Sequence, residues 1–175
     1  MALCDLLTSG ISKSCDNNTA GVSKIYISDF ERITGTTETA GELTAITLSG
    51  GTGSFYEFEF NRNTSSYSED LTIDLANGSS FYAQTVNLVL SRREKTKREA
   101  ISQLTAGQKE LFVIVLDSNG LYWAFGVGEG CIVTGIAGGS GVNKGDANNY
   151  QITMTAEEAN SALEVDSTIV AALLA

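Results

Sequence analysis

A chain of 175 residues, 42% of them hydrophobic, carries enough apolar material for one self-supporting core, which excludes wholesale disorder. Its formal charge of −10 sets it apart from freely acting nucleic-acid binders and from proteins that sit on anionic lipid. It has no His, so the commonest general base and a major metal ligand are missing, and with them the ordinary route to hydrolase chemistry.

Residues 1–22 are small and polar, with Leu3, Leu6, Leu7 and Ile11 as the bulky exceptions. They read as an N-terminal arm, either a partly ordered end with a short helical turn or an arm that docks onto a neighbouring subunit. Met1–Asp5 lacks the basic start and apolar run of a signal peptide. The three cysteines, Cys4, Cys15 and Cys131, are therefore expected as free thiols of a cytoplasmic product, with a Cys4–Cys15 bridge as the weaker alternative. No apolar run approaches the roughly 20 residues of a membrane span.

Residues 23–175 read as a single β-rich domain. Ser23–Phe30 alternates Ile25 and Ile27 with polar neighbours, as a strand does. Residues 31–42 are rich in Thr, Gly and Glu and read as a loop; Leu43–Leu48 is the next strand. Phe55–Phe60 (FYEFEF) places Tyr56, Phe58 and Phe60 on one face and Phe55, Glu57 and Glu59 on a wet one. Tyr67–Leu75 and Ser80–Leu90 flank Asn77-Gly78 and are expected to pair across it.

At Ser91–Ala106 (SRREKTKREAISQLTA) the period changes to that of a helix. Ser91 and Glu94 fit a capping box, Ala100, Ile101 and Leu104 form the inward stripe, and Gly107 sits at the C′ position. Five basic residues against two Glu make this stretch +3, so the rest of the chain carries −13. Arg92, Arg93, Lys95, Lys97 and Arg98 are either a solvated helix face or a subunit interface that meets an acidic face of another copy.

Leu111–Val127 (LFVIVLDSNGLYWAFGV) is the centre of the chain. Two apolar runs rich in Val, Ile and aromatic residues flank Asp117–Gly120, where Asn-Gly suits a tight turn. The expectation is a central hairpin buried on at least one face and nearly on both, carrying Trp123. A short strand at Cys131–Thr134 follows, then a flexible loop over 135–149 with five glycines, then a strand at Tyr150–Thr155. Ala156–Leu163 reads as a turn or short helix, and Ser167–Leu174 as a strand or a two-turn helix. The fold class expected is mainly β: an antiparallel β-sandwich or barrel with one flanking α-helix at about 91–106.

The chemical motifs all read as structural. Gly126-x-Gly128-x-Gly130 lacks the spacing and following helix of a dinucleotide site. Gly139–Lys144 resembles a phosphate loop, but Gly145 stands where Ser or Thr is needed. Asp146, Asn148 and Asn149 suit a turn better than calcium. Glu57 with Glu59, Glu69 with Asp70, and Glu157 with Glu158 are adjacent carboxylates without the opposed geometry of a glycosidase. Cys131 has no His to activate it. No catalytic residue, metal or cofactor is expected.

The order of strands, long hairpin, single helix, long hairpin and strand over residues 23–166 resembles phage tail-tube proteins and the related tubes of secretion and contractile injection machines. Leu111–Gly126, the Gly-rich loop and YQITMTAEEANSALEVD (Tyr150–Asp166) also resemble the C-terminal half of small virion proteins of Bacteroidetes phages. The resemblance implies a non-enzymatic virion protein of the tail, assembled in the host bacterial cytoplasm. Its subunits would be β-sandwiches that self-assemble into hexameric rings and let DNA pass without specific binding. Its partners would be other copies and neighbouring tail or neck proteins, with no membrane. A head-to-tail connector ring or a capsid decoration protein shares these features. A carbohydrate-binding module, using Trp123 and tyrosines as stacking surfaces, is the rival from another class.

Overall fold

The computed structural model describes residues 10–50 and 55–174. Eleven strands form two sheets. In chain order they are β1 (Val22–Asp29), β2 (Ile33–Thr39), β3 (Glu42–Leu48), β4 (Tyr56–Phe58), β5 (Ser66–Asp74), β6 (Ser79–Ser91), β7 (Leu111–Asp117), β8 (Tyr122–Phe125), β9 (Ile132–Gly139), β10 (Asn149–Glu158) and β11 (Leu163–Val165). Helix α1 (Lys95–Thr105) lies between β6 and β7, and α2 (Ser167–Leu173) ends the described chain. One sheet has the order β2-β3-β11-β8-β7-β1-β4, the other β5-β6-β10-β9. The expected β-sandwich with a flanking helix is the observed architecture, with a second helix added.

β7 shows why the layers stack as they do. Leu111, Val113 and Val115 point into a core shared with Val86, Leu88, Ile152 and Met154 of the four-stranded sheet. Phe112 and Ile114, on the opposite face, pack with Phe55, Leu43, Val170 and Leu173. The run therefore has no polar side and is apolar throughout, as a strand covered on both faces must be. The smaller sheet covers one face and α2 the other. Asp166 caps α2 by accepting the Thr168 N–H at 2.8 Å, which starts a helix where periodicity alone left helix and strand open.

The central turn is longer than the tight Asn-Gly turn expected. Only Gly120 is left-handed (φ +88°). The Gly120 N–H bonds Asp117 O at 3.3 Å, and Asp117 N–H bonds Leu121 O at 2.9 Å, which is a type I turn closed by a glycine bulge. Asp117 Oδ1 accepts the N–H groups of Asn119 and Leu121, so the Asp fixes this longer turn.

Five other expectations are corrected. Residues 31–42 are not a loop but a turn at Phe30–Arg32, then β2 and the start of β3. This is an edge hairpin, and the β-branched Thr residues of β2 face solvent, so β2 carries no apolar alternation. Residues 135–149 are not all loop, because β9 runs to Gly139 on the rim of β10. Ala156–Glu158 continues β10. The capping box is absent: Ser91 pairs with Asn149 as the last residue of β6, and the helix starts at Lys95 after Glu94, with no side-chain cap. The inward stripe of α1 does include the buried Ile101, and Gly107 is left-handed at φ +75°. Phe55, assigned to a wet face, is instead buried edge-on against Phe112, with ring centres 5.8 Å apart.

Candidate functional site

The four-stranded sheet has one face on the core and one face uncovered. Cross-strand register decides which side chains share the outer face. Ser68 lies opposite Thr85, Asp70 opposite Ala83, Thr153 opposite Asn87, and Thr155 opposite Thr85. The outer residues are thus mostly small and polar, with Asp70, Asp74 and Glu157 as the charges and Phe81, Val89 and Ile132 as the apolar members. Thr153 donates to Asn87 Oδ1 at 2.9 Å across this face. No Lys or Arg occurs anywhere in β5, β6, β9 or β10.

Both rims of this sheet, β5 and β9, pair on one side only. Apolar side chains remain open along them: Leu71 (51% exposed) and Ile73 (57%) on β5, and Ile132 and Ile136 (both 43%) on β9. Edge strands of isolated proteins are blunted with Lys, Pro or short length. β5 is nine residues long, β9 eight, and neither has Pro or Lys.

The five basic residues picked from the sequence gather at one end of this sheet. The Arg92 N–H bonds Asn148 O at 2.7 Å, and the Arg93 guanidinium lies 4.9 Å from the Tyr150 ring centre. Arg93, Lys95 and Arg98, with Glu94 among them, border a surface cleft together with Ser140, Asn148 and Tyr150. Lys95 makes an exposed 3.6 Å pair with Glu99. Lys97 is engaged inside the chain: it pairs with Glu94 at 2.9 Å and donates to Ser91 O at 2.6 Å. That contact holds the Glu94 carboxyl below its ordinary range. Arg92, Arg93, Lys95 and Arg98 are left facing outward.

The carboxylate pairs separate. Glu57 bonds Lys24 at 2.7 Å, and Glu69 accepts the Ala162 N–H at 2.9 Å. Glu157 is exposed, but Glu158, its neighbour in the third carboxylate pair, is buried. Its Oε1 accepts the N–H groups of Gly128 and Glu129, each at 3.0 Å. Gly126 is left-handed (φ +68°), and a Cβ there would fall 2.6 Å from the Cys131 nitrogen. The three glycines thus let the chain fold tightly around a carboxylate, a structural role. Burial, with Glu158 nearby, pushes the Cys131 thiol up to about 12. Asp146 accepts the N–H groups of Val142 and Asn143 at 2.8 and 2.7 Å and closes its own loop.

Comparison with family models, with curated proteins and with solved structures finds no match.

Among the described residues no group of three or more Cys, Asp and Glu gathers at metal-binding distance, and no helix is long and apolar enough to cross a membrane. A groove of about 680 Å³ opens between the β5–β6 hairpin and the larger sheet. Leu71, Ile73, Tyr82 and Trp123 supply its apolar wall, and Glu38 and Glu164 stand on its rim. The half-buried Trp123 Nε1–H points to Asp117 Oδ2 at 3.4 Å. Sequence reading singled out the Trp but missed the groove, since Leu71 and Ile73 read as ordinary inward residues.

Proposed function

We propose that this chain is a non-enzymatic tube protein of a phage tail, whose copies join edge to edge into a ring. The observation that carries this reading is a four-stranded sheet with two open rims and an uncovered face, without a single Lys or Arg. Pairing β9 of one copy with β5 of the next would satisfy both rows of unpaired backbone groups and cover Ile136, Leu71 and Ile73. The uncovered polar face would then line the lumen. Phosphates repelled by Asp70, Asp74 and Glu157 would pass without sticking.

Six copies would give about 24 strands, a wall about 115 Å around and about 37 Å across at about 4.8 Å per strand. Strand tilt widens it further. The remaining partners are stacked copies and tail or neck proteins at the tube ends. Negative-stain microscopy of the purified chain, with sedimentation velocity beside it, tests the reading. Closed annuli or cylinders are expected, and a strictly monomeric species at high concentration and low salt overturns it. The number of subunits per annulus separates a tube from a connector ring, and a protein that joins only preformed capsids is a decoration protein.

A carbohydrate-binding module is the second reading, favoured by Trp123 and Tyr82 in one open groove with Glu38 and Glu164. Glycan-array binding by a monomer, with quenching of the single Trp, supports it; no signal across the array excludes it.

A further inference from the structure

Asn followed by Gly occurs twice in the chain, at Asn77-Gly78 and at Asn119-Gly120. Both pairs sit in hairpin turns, and both glycines are left-handed, at φ +67° and +88°. In such a pair the glycine nitrogen reaches the preceding carboxamide most easily, because no side chain stands in the way. The two turns differ in what holds the reacting atoms.

At Asn119 those atoms are engaged. The Gly120 N–H donates to Asp117 O at 3.3 Å. Asn119 Oδ1 accepts the Thr19 N–H at 2.7 Å, and Asn119 Nδ2 donates to Asn18 Oδ1 at 3.2 Å. The side chain thus clasps the root of the N-terminal arm, beside the bond from the Ser118 N–H to Gly21 O at 3.0 Å. At Asn77 the nitrogen that would attack is unheld. The Gly78 N–H donates to no group among the described residues, and residues 70–80 are all exposed. Asp74 braces this turn. Its Oδ1 accepts the N–H groups of Ala76 and Asn77 at 2.9 and 3.3 Å, and its Oδ2 accepts from Asn77 Nδ2 at 2.6 Å.

We propose that Asn77 is a site of self-modification, and that the clasp keeps Asn119 intact. The Gly78 nitrogen gives its proton to hydroxide and attacks Asn77 Cγ. A C–N bond forms, the Cγ–Nδ2 bond breaks, and ammonia leaves. Water then opens the ring at either carbonyl. One opening leaves a side-chain carboxylate at position 77; the other reroutes the main chain through Cγ. Neither product keeps the Nδ2–H donor. A new anion faces Asp74 Oδ2 where a 2.6 Å hydrogen bond stood, and like charges at that range repel. Rerouting also adds a methylene to the main chain between Asp74 and its register partner Ser79. The tip of β5, one of the two open rims of the small sheet, therefore loosens irreversibly with age. The β7–β8 turn and the root of the arm do not. The inference stands apart from the ring reading.

The test keeps the full chain in mildly alkaline buffer at physiological temperature, native and in urea. Both turns are followed by peptide mass mapping, with chromatography that separates the two acidic products. In the native chain, conversion at Asn77 should outrun that at Asn119 at least about tenfold, since holding the nitrogen and the carboxamide adds the worth of more than one hydrogen bond to the barrier. In urea the two should convert alike. Asn77→Gln, whose longer side chain must close a larger ring, should keep its amide in both conditions. Amide hydrogen exchange at Ala76 should quicken in the aged chain and in Asn77→Asp, while exchange at Leu121 stays unchanged. Equal native rates at the two sites, or an Asn77 that converts only in urea, overturn the proposal. An Asn119 that stays slow in urea overturns the protective role of the clasp. Unchanged exchange at Ala76 in both altered proteins overturns the loosening of the turn.

Discussion

Glu158 accepts the backbone N–H of Gly128 at 3.0 Å, across thirty residues of sequence. The same oxygen also takes the N–H of Glu129, so one buried carboxylate holds the loop that leads from β8 into β9. Glu158→Ala removes the shared acceptor of both N–H groups, and because Gly128 and Glu129 are exposed, water replaces part of what is lost. A loss of about 1 kcal/mol is expected, with less for Glu158→Gln, which keeps an acceptor oxygen. Urea denaturation of the three proteins measures the difference. Equal midpoints for Ala and Gln would show that the contact contributes nothing.

Cys131 lies beside this carboxylate. A folded-state value raised from 9.0 to about 12 means that the native protein holds its thiol proton more tightly than the unfolded chain does. The stability tied to this group is therefore complete below pH 9 and lost as pH rises toward 12. Comparison with Cys131→Ala isolates it from the other groups that titrate there: stability should fall less steeply in the variant over that range. At pH 8, alkylation followed by peptide mass mapping should label the exposed Cys15 in the native state and Cys131 only after unfolding. Cys4 lies outside the described residues.

Three exposed aspartates close turns through backbone N–H groups, and each is pulled below the ordinary value of 3.8. Asp74 accepts from Ala76 and Asn77, Asp146 from Asn143 and Val142, and Asp166 from Thr168. A depressed folded value gives stability that is present above 3.8 and lost as pH falls through the folded value. Amide NMR titration should therefore give midpoints below 3.8 for Ala76, Val142 and Thr168. Midpoints at or above it would mean that the bonds are not held in solution.

How much of this was readable beforehand depends on where the information lies. Asn77-Gly78 marked the β5–β6 turn and Asn119-Gly120 the β7–β8 turn, because the chain needs a left-handed residue there and both Gly78 and Gly120 supply it. Leu111–Leu116 announced a strand covered on both faces through its unbroken apolar run. The β2–β3 hairpin hid because its turn is Ala40-Gly41, without a hairpin dipeptide, and because Thr36, Thr37 and Glu38 face water. The second half of β9 hid behind its glycines, while its start was legible at Cys131–Thr134. Ser91 and Glu94 matched a cap by spacing, but strand pairing with Asn149 claimed Ser91 first. The basic stretch was visible as a composition shift. The carboxylates of the groove were not, because Glu38 and Glu164 come together there only through topology.

Arg92 is strained. Its φ of +61° is left-handed, a region that costs a side-chain-bearing residue about 1 kcal/mol or more. The bend lets the chain leave β6 and enter α1 while Arg92 N–H bonds Asn148 O. Arg92→Gly removes the strain but adds freedom to the unfolded chain, so the monomer should be unchanged or up to about 1 kcal/mol more stable. If the basic stretch is the subunit interface expected from its charge, assembly of copies should weaken in the same variant. Stability rising while assembly falls would show that the side chain is retained for contact; both falling would show a role in folding.

Lys substitution on the open rims separates assembly from folding most directly. Ile73 on β5 and Ile136 on β9 are 57% and 43% exposed, so Ile73→Lys and Ile136→Lys remove little buried surface from the single chain. Each should change unfolding free energy by no more than about 0.5 kcal/mol. If β5 of one copy pairs with β9 of the next, the same changes put a charge at a strand junction that must become dry, and annuli should disappear from the sedimentation profile. Either variant alone should suffice, since every junction contains both rims. A mixture of the two should not recover closed rings either: an Ile73→Lys copy can offer an intact β9 to the β5 of an Ile136→Lys copy, but the next junction around the ring meets a Lys on both rims. Such a mixture should stop at dimers. Annuli that survive in each variant would move the subunit contact away from these rims.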